Sequence, residues 1–167
     1  ARILFQSLLD RSRPLTRSTN PSFPPDPGAR RALIRAMRQR KVSVQIITAG
    51  PLNDHPSVTK LSEAICLELL EAGAEIYEYQ PEMIHAKLMV VDGIWSVAGS
   101  TNFDHRSFAL NDEVNIATLD ANLAAGLESD FASDVKKSVR RTIRQVRTRS
   151  MTARLVGAVS KLSRREM

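Results

Sequence analysis

The sequence predicts an α/β domain in which helices flank a mixed β-sheet, followed by a basic amphipathic C-terminal helix. Helix-like and strand-like apolar patterns alternate across residues 26–79, which is typical of strands joined by packed helices. Two short apolar runs then lie on either side of Asp92-Gly93, a dipeptide that favours a tight hairpin and therefore an antiparallel pair. A sheet that receives both kinds of connection is mixed.

The first half of the chain supplies helices and buried strands in alternation. Asp26 followed by Pro27 predicts the start of a helix that runs to about residue 40, because Asp caps helix N-termini and Pro suits the first turn. Gly73 ends a second helix. The elements after the first helix are a strand, a helix and a strand, at 42–48, 58–72 and 74–79.

The second half begins with the hairpin, which supplies the third and fourth strands within residues 83–99. Residues 113–119 predict a fifth strand. Asp120 is placed to cap a final helix, whose apolar residues recur at four-residue spacing at Leu123, Leu127 and Phe131.

Length and composition are those of one globular domain, since 167 residues with 43% hydrophobic content can bury a core. We expect a poorly patterned segment at 1–25, a folded half-domain at 26–135 and a basic tail at 136–167. The single cysteine, Cys66, lies in an apolar helical pattern and excludes an internal disulfide or a cysteine-based zinc site. No apolar run reaches the ~18 residues that span a bilayer.

Positive charge is concentrated in the tail, where 11 Lys or Arg residues and one acid give a net charge of +10. A basic amphipathic helix of this kind suits an anionic membrane surface. The residues expected at that surface are Arg140, Arg141, Arg144, Arg147, Arg149 and Arg154. Two alternatives stay open: a solvated helix whose apolar stripe covers the domain, and a segment that binds nucleic acid.

Polar residues interrupt the apolar hairpin in a regular way. His85 and Lys87 stand two residues apart and would share one face of an extended strand. The return strand ends in Gly99-Ser100-Thr101-Asn102, whose small and polar residues permit a close approach to an anion. Glu113 stands beside the next strand. Because these groups lie at or near the ends of adjacent strands, we expect them to converge at one site.

These residue types suit a phosphoryl group. Lys87 supplies positive charge, and Ser100 and Asn102 supply neutral donors. The imidazole of His85 can attack phosphorus if a carboxylate holds its other nitrogen, for which Glu113 is the candidate. The set lacks clustered carboxylates, so we expect no metal and no other cofactor. Asp92 is favoured by the Asp-Gly turn alone, which indicates a mainly structural role.

The stretch HAKLMVVDGIWSVAGSTNFDHRSFALNDEVNI, residues 85–116, resembles the His-Lys-Asp signature of the phospholipase D superfamily. The similarity is greatest to the C-terminal halves of bacterial cardiolipin synthases and related phosphatidyltransferases. It implies a phospholipase D-like half-domain and a phosphohistidine intermediate that water or a second alcohol resolves. The positions it assigns are the catalytic His85, Lys87, Asp92 and Glu113 and the phosphate-binding Lys87, Ser100 and Asn102.

The chain departs from the family pattern in two ways. Family sites pair two such motifs, one histidine acting as nucleophile and the other as general acid. Here neither His55 nor His105 begins a second copy, so we expect the second motif from a missing N-terminal half or from a homodimer partner. In addition, residues 11–17 replace most of a hydrophobic strand that the family has at this point, which puts that strand in question.

The first function hypothesis is a phospholipase D-type phosphatidyltransferase or phosphodiesterase that acts on phospholipid head groups. Its partners would be the phospholipid substrate, an anionic membrane surface and the second motif, with peripheral attachment to the bacterial cytoplasmic membrane. One alternative is a homodimeric nuclease of the same superfamily. The other is a non-catalytic remnant that binds lipid or nucleic acid; nucleic acid ranks behind lipid as a partner.

Overall fold

The computed structural model describes residues 2–21, 25–50, 59–104, 107 and 110–148. Within these residues the helices are α1 (Arg2–Arg11), α2 (Pro27–Arg40), α3 (Thr59–Ala72) and α4 (Ala121–Lys136). The strands are β1 (Leu15–Thr19), β2 (Ser43–Ala49), β3 (Glu75–Tyr79), β4 (Leu88–Val91), β5 (Trp95–Gly99), β6 (Asn115–Leu119) and β7 (Ser138–Arg140). Residues 143–148 are also helical.

The seven strands that the structure describes form one mixed sheet in the order β6-β5-β4-β1-β2-β3-β7. β1, β2 and β3 run parallel, with α2 and α3 between them in sequence. β4, β5 and β6 form an antiparallel meander beside β1, and β7 pairs antiparallel with β3. The structure therefore confirms the predicted α/β class with a mixed sheet and flanking helices.

The core has two parts because helices cover both faces of the sheet. Ile46 packs into the main cluster together with buried residues of α1, α2 and α3 such as Leu69. Its neighbour Ile47 enters a smaller cluster with Phe131 of α4. Successive residues of a strand face opposite sides of the sheet, so β2 is buried on both faces.

The predicted turn and cap residues act as expected. The Asp26 carboxylate accepts a hydrogen bond from the amide of the third helical residue of α2 at 2.9 Å, and Asp120 caps α4 in the same way. Gly73 ends α3 with a φ of 108°. Asp92 and Gly93 have φ values of 57° and 67°, which a tight hairpin turn requires of its two central residues.

The N-terminal segment differs from the prediction. Residues 1–25 contain α1 and β1, and β1 is a central strand between β4 and β2. The buried side chains of β1 include the hydroxyls of Thr16 and Ser18, and Ser18 Oγ donates to the Leu88 carbonyl at 3.1 Å. Because Ser and Thr occupy the buried positions of this central strand, it lacks the apolar pattern from which strands are predicted.

The predicted boundary at residue 136 also shifts. α4 ends at Lys136, and β7 adds three residues of the expected tail to the edge of the sheet beside β3. Val146 is fully buried. The first part of the basic segment is therefore packed on the domain. The predicted apolar stripe of Met151, Leu155, Val159 and Leu162 lies outside the described residues.

Candidate active site

Three chain segments meet at one end of the β4–β5–β6 meander, where these strands begin or finish. Leu88 at the start of β4 pairs with Ala98 near the end of β5, and Gly99 pairs with Asn115 at the start of β6. Because these neighbouring strands alternate in direction, the start of β4, the end of β5 and the start of β6 all lie at this end of the meander. These segments carry most of the residues that the sequence predicted to form the site.

His85 and Lys87 lie in the segment that enters β4, so neither is part of the regular strand, which begins at Leu88. Lys87 Nζ lies 3.1 Å from His85 Nε2 and donates to the His85 carbonyl at 2.9 Å. A charged lysine can only donate, so the first contact requires an unprotonated Nε2. Burial lowers the pKa of Lys87, and the negative charge of Glu113 opposes that shift.

Glu113 is held by neutral donors. Ser100 Oγ donates a short hydrogen bond to one carboxylate oxygen, and Asn111 Nδ2 donates to the other at 3.3 Å. The Ser100 hydrogen bond is the main cause that lowers the pKa of Glu113. Further hydrogen bonds from Ser107 and Asn111 and the charge of Lys87 act in the same direction, against desolvation. Glu113 is therefore stabilised as the carboxylate.

The partners of Glu113 differ from the expected one. The sequence suggested that Glu113 holds the His85 ring, but no hydrogen bond among the described residues joins these two side chains. The carboxylate instead anchors Ser100, whose Oγ also accepts from the Val114 amide at 3.0 Å. Its connection to the His85–Lys87 pair is electrostatic, through the charge of Lys87.

Gly99 permits the close approach of β5 and β6 at this point. A Cβ on Gly99 would meet the Val114 carbonyl oxygen and lie 2.8 Å from the Asn115 Cα, so no other residue fits without moving the backbone. The Ser100 amide donates to the same Val114 carbonyl at 2.9 Å. The glycine thus places Ser100 within reach of Glu113.

Asn102 follows in the turn after β5. Its Oδ1 is buried, and the described residues offer that oxygen no hydrogen-bond partner. The turn is held by two other asparagines: Asn115 Nδ2 donates to Thr101 Oγ1 at 2.6 Å, and Asn20 bonds to the backbone. Sequence reasoning did not select Asn20, because it lies in the segment 1–25 and no spacing pattern connects it to the hairpin.

Asp92 lies apart from the other predicted catalytic residues, at the far end of β4. Both of its carboxylate oxygens accept from the Arg13 amide at 2.7 Å, and one also accepts from the Leu15 amide at 3.3 Å. The Asp92 amide in turn donates to the Leu15 carbonyl at 2.9 Å. Asp92 thus ties the hairpin turn to the start of β1, away from the other residues that the sequence predicted to be catalytic.

Of the six basic residues expected at a membrane surface, the structure describes four, and three of these are paired with acids of the domain. Arg141 is 7% exposed and forms ion pairs with Glu63 and Glu78, which contradicts its predicted place on that surface. Arg140 pairs with Glu75 and Arg147 with Glu71, each at 2.8 Å. Arg144 is exposed, and Arg149 and Arg154 lie outside the described residues.

Two other kinds of site are absent from the described part of the chain. No group of three or more His, Cys, Asp or Glu residues is arranged there to hold a metal ion. No helix in the same residues is long and apolar enough to cross a membrane.

The fold and this convergence of side chains define a phospholipase D-like α/β domain. The chain belongs to the family described as cardiolipin synthase, PLD-like domain, whose model matches residues 7–135. The family membership confirms the resemblance carried by residues 85–116.

Individual relatives that the chain resembles are also named cardiolipin synthases. The chain is 39% identical over 107 residues to cardiolipin synthase A of Pseudomonas aeruginosa (strain LESB58), covering 64% of this chain and 21% of the relative. It is 41% identical over 96 residues to the minor cardiolipin synthase ClsB of Bacillus subtilis (strain 168), covering 58% of this chain and 24% of the relative. The chain thus spans about a fifth to a quarter of the curated relatives that it matches.

A solved structure shares the fold. The phospholipase D family member NUC from Salmonella typhimurium superposes with a TM-score of 0.74 at 22% identity, covering 84% of this chain and 90% of that one.

Proposed function

We propose that this chain supplies half of the active site of a phospholipase D-type phosphatidyltransferase or phosphodiesterase that acts on phospholipid head groups. The observation that carries the proposal is that the segment with the contacting pair His85 and Lys87 and the turn with Ser100 and Asn102 lie at the same end of β4 and β5. The matched relatives are named cardiolipin synthases, which supports a phospholipid as the substrate.

In the proposed reaction, the substrate phosphate takes the Lys87 ammonium away from His85 Nε2, because an anionic oxygen is the stronger acceptor. The freed lone pair on Nε2 attacks phosphorus, and the bond from phosphorus to the leaving alcohol breaks. The leaving oxygen takes a proton from the second histidine, which then accepts a proton from water or another alcohol as that nucleophile displaces His85 from phosphorus. Asn102 would bind a phosphoryl oxygen through its side-chain amide, while Ser100, whose single hydroxyl proton is donated to Glu113, would hold that carboxylate beside the site.

Glu113 has an electrostatic role in this proposal. Its charge favours the protonated form of Lys87, whose pKa burial lowers. The same charge stabilises the positive imidazole ring of the phosphohistidine. Asn111 and Ser100 keep the carboxylate in place for this purpose.

The second histidine must come from another domain, and an apolar surface beside the site suits such a partner. Val114, which follows Glu113 directly, is 74% exposed, and Ile116 near the start of the edge strand β6 is 68% exposed. Exposed apolar side chains on a sheet edge favour association. We propose that a second phospholipase D motif, from an N-terminal half or from a homodimer partner, packs here.

We also propose peripheral attachment to an anionic membrane surface, in the bacterial cytoplasmic membrane. Because the structure pairs Arg140, Arg141 and Arg147 with acids, this attachment would depend on Arg144 and on Arg149 and Arg154. Each basic residue near such a surface contributes about 1 kcal/mol.

The test is size-exclusion chromatography with light scattering, followed by assays of each peak for head-group release from phosphatidylglycerol vesicles. An active dimer that loses turnover in His85→Ala, but not in the α2 surface control Arg38→Ala, supports a site built from two copies. An inactive monomer that gains activity with a separately expressed N-terminal half of a relative supports the half-enzyme. DNA cleavage in EDTA without head-group release contradicts the lipid substrate and supports a nuclease.

The partner surface needs its own variant. Ile116→Glu should convert a dimer to a monomer, because it places a charge in the proposed apolar interface. Val139→Glu is the matched control, since Val139 is an exposed apolar residue on β7, at the opposite edge of the sheet. A dimer that survives Ile116→Glu would contradict the proposed surface.

A further inference from the structure

A buried asparagine connects the end of β1 to the turn that carries Asn102. Asn20 follows β1 directly and is 2% exposed. Its backbone N–H donates to the Ile47 carbonyl at 2.9 Å and so continues the pairing of β1 with β2. The position of Asn20 is therefore set by the sheet, while its carboxamide makes hydrogen bonds elsewhere.

The carboxamide of Asn20 makes two hydrogen bonds, one on each side of Asn102. Nδ2 donates to the Thr101 carbonyl at 3.4 Å, and Oδ1 accepts from the Phe103 amide at 3.3 Å. These groups belong to the two peptide units that flank the Asn102 Cα. Because peptide units are planar, holding both of them restricts φ and ψ of Asn102 and thus the direction of its Cα–Cβ bond.

Other contacts hold the residues next to Asn102 but not both flanking peptide units. The ring of Phe103 packs edge-on against Phe5, with 5.0 Å between ring centroids, and Thr101 accepts from Asn115. Among the described residues, Asn20 is the side chain whose hydrogen bonds reach both sides of Asn102. Removing its carboxamide would leave the turn attached and the orientation of Asn102 less restricted.

We propose that Asn20 is a positioning residue that aims the Asn102 side chain at the bound phosphoryl group. This inference rests on the proposed role of Asn102 in phosphate binding. The residue type fits, because a carboxamide offers a donor and an acceptor in one rigid plane. Both hydrogen bonds are long and each adds little stability, whereas a displacement of about 1 Å at a reactive site costs up to about 100-fold in rate.

The experiment measures the binding of inorganic phosphate to the full chain, which does not require the second histidine. The variants Asn20→Ala and Asn102→Ala and their double variant form a thermodynamic cycle. Asn20→Ala should weaken phosphate binding about 10-fold when Asn102 is present and less than about 2-fold in the Asn102→Ala background. Asn20→Ser, which keeps a polar group in the same space, serves where Asn20→Ala fails to fold.

A spectroscopic readout and a matched control separate positioning from general damage. In wild type, phosphate should shift the NMR signal of the Asn102 side-chain amide, and Asn20→Ala should reduce that shift. Ser12 is the control because it is also fully buried and its hydroxyl donates to the Leu9 carbonyl at 2.8 Å, in a different part of the fold. Ser12→Ala should leave phosphate binding unchanged.

The possible negative results have different meanings. If wild type binds no phosphate, the proposed function is contradicted and the role of Asn20 with it. If wild type binds phosphate but Asn20→Ala weakens binding equally with and without Asn102, only the positioning role is contradicted. An equal effect of Ser12→Ala would also contradict it, since buried polar groups in general would then suffice.

Discussion

Replacement of Arg141 should destabilise the domain far more than replacement of its neighbour Arg140. Arg141 is buried, with its Nη1 3.0 Å from Glu78 and its Nη2 3.5 Å from Glu63. Arg140 also forms an ion pair, with Glu75 at 2.8 Å, but its side chain is 60% exposed. The two variants Arg141→Ala and Arg140→Ala remove the same charge from adjacent positions, so they differ chiefly in burial.

The expected magnitudes follow from that difference. Breaking a buried ion pair by removing one member costs about 3–5 kcal/mol, because the remaining charges stay out of water. The Nη2 contact with Glu63 lacks hydrogen-bond geometry, so we expect the lower end of the range, about 3 kcal/mol. The exposed pair of Arg140 is worth about 0.2–1 kcal/mol.

The assay is guanidinium unfolding followed by far-UV circular dichroism, with the free energy of unfolding compared between the two variants. Restoring stability to Arg141→Ala by adding Glu63→Gln and Glu78→Gln would support the buried-charge explanation. Losses within about 1 kcal/mol of each other would refute it. Vesicle binding provides a second comparison: a specific role of Arg141 at a membrane surface would make its loss weaken binding more than the loss of Arg140.

Three further predictions concern the site and the core. The Ser100 hydrogen bond lowers the pKa of Glu113 in the folded chain below its value in the unfolded chain. The Glu113 carboxylate therefore stabilises the fold above the unfolded-state pKa, and this contribution is lost as the pH falls through the folded-state pKa. Glu113→Gln should make the free energy of unfolding depend less on pH in the acid range, and an unchanged pH dependence would contradict this. Asp92→Asn should lower the free energy of unfolding in chemical denaturation by about 1 kcal/mol. Asparagine tolerates the positive φ but accepts more weakly than a carboxylate from the Arg13 amide. A variant as stable as wild type would contradict the role of Asp92 in holding the turn to β1. Burial raises the pKa of the Cys66 thiol to about 11. A thiol reagent at about pH 8 should therefore label Cys66 only as the chain unfolds. Rapid labelling of the native protein would contradict the burial of Cys66 in the core.

Several elements could be predicted from the sequence because their signals are local. The apolar run of β2, the Asp26 cap of α2 and the Asp92-Gly93 turn each depend on residues within one element or turn. The convergence of Lys87 with Ser100 followed from the same local patterns, since a tight hairpin places the start of one strand beside the end of the next.

Other features could not be predicted because they depend on partners far away in the chain. β1 is a central strand although its buried residues include hydroxyls, because flanking strands satisfy its backbone. Asp92 accepts from Arg13, 79 residues away. Asn20 bonds to Thr101 across 81 residues. No local spacing relates these pairs, since they meet only when the sheet has formed.

The α/β class and the hairpin, with the approach of Lys87 to Ser100 that the hairpin brings about, follow from the sequence, because short-range periodicity and turn chemistry encode them. The tertiary structure alone decided which polar residues are buried and what they contact. It placed Arg141 against Glu63 and Glu78 rather than on a basic surface, and it separated Asp92 from His85. The physical reason is that burying a charged side chain is costly unless partners surround it, and the partners of Arg141 come from distant parts of the chain that only the fold brings together.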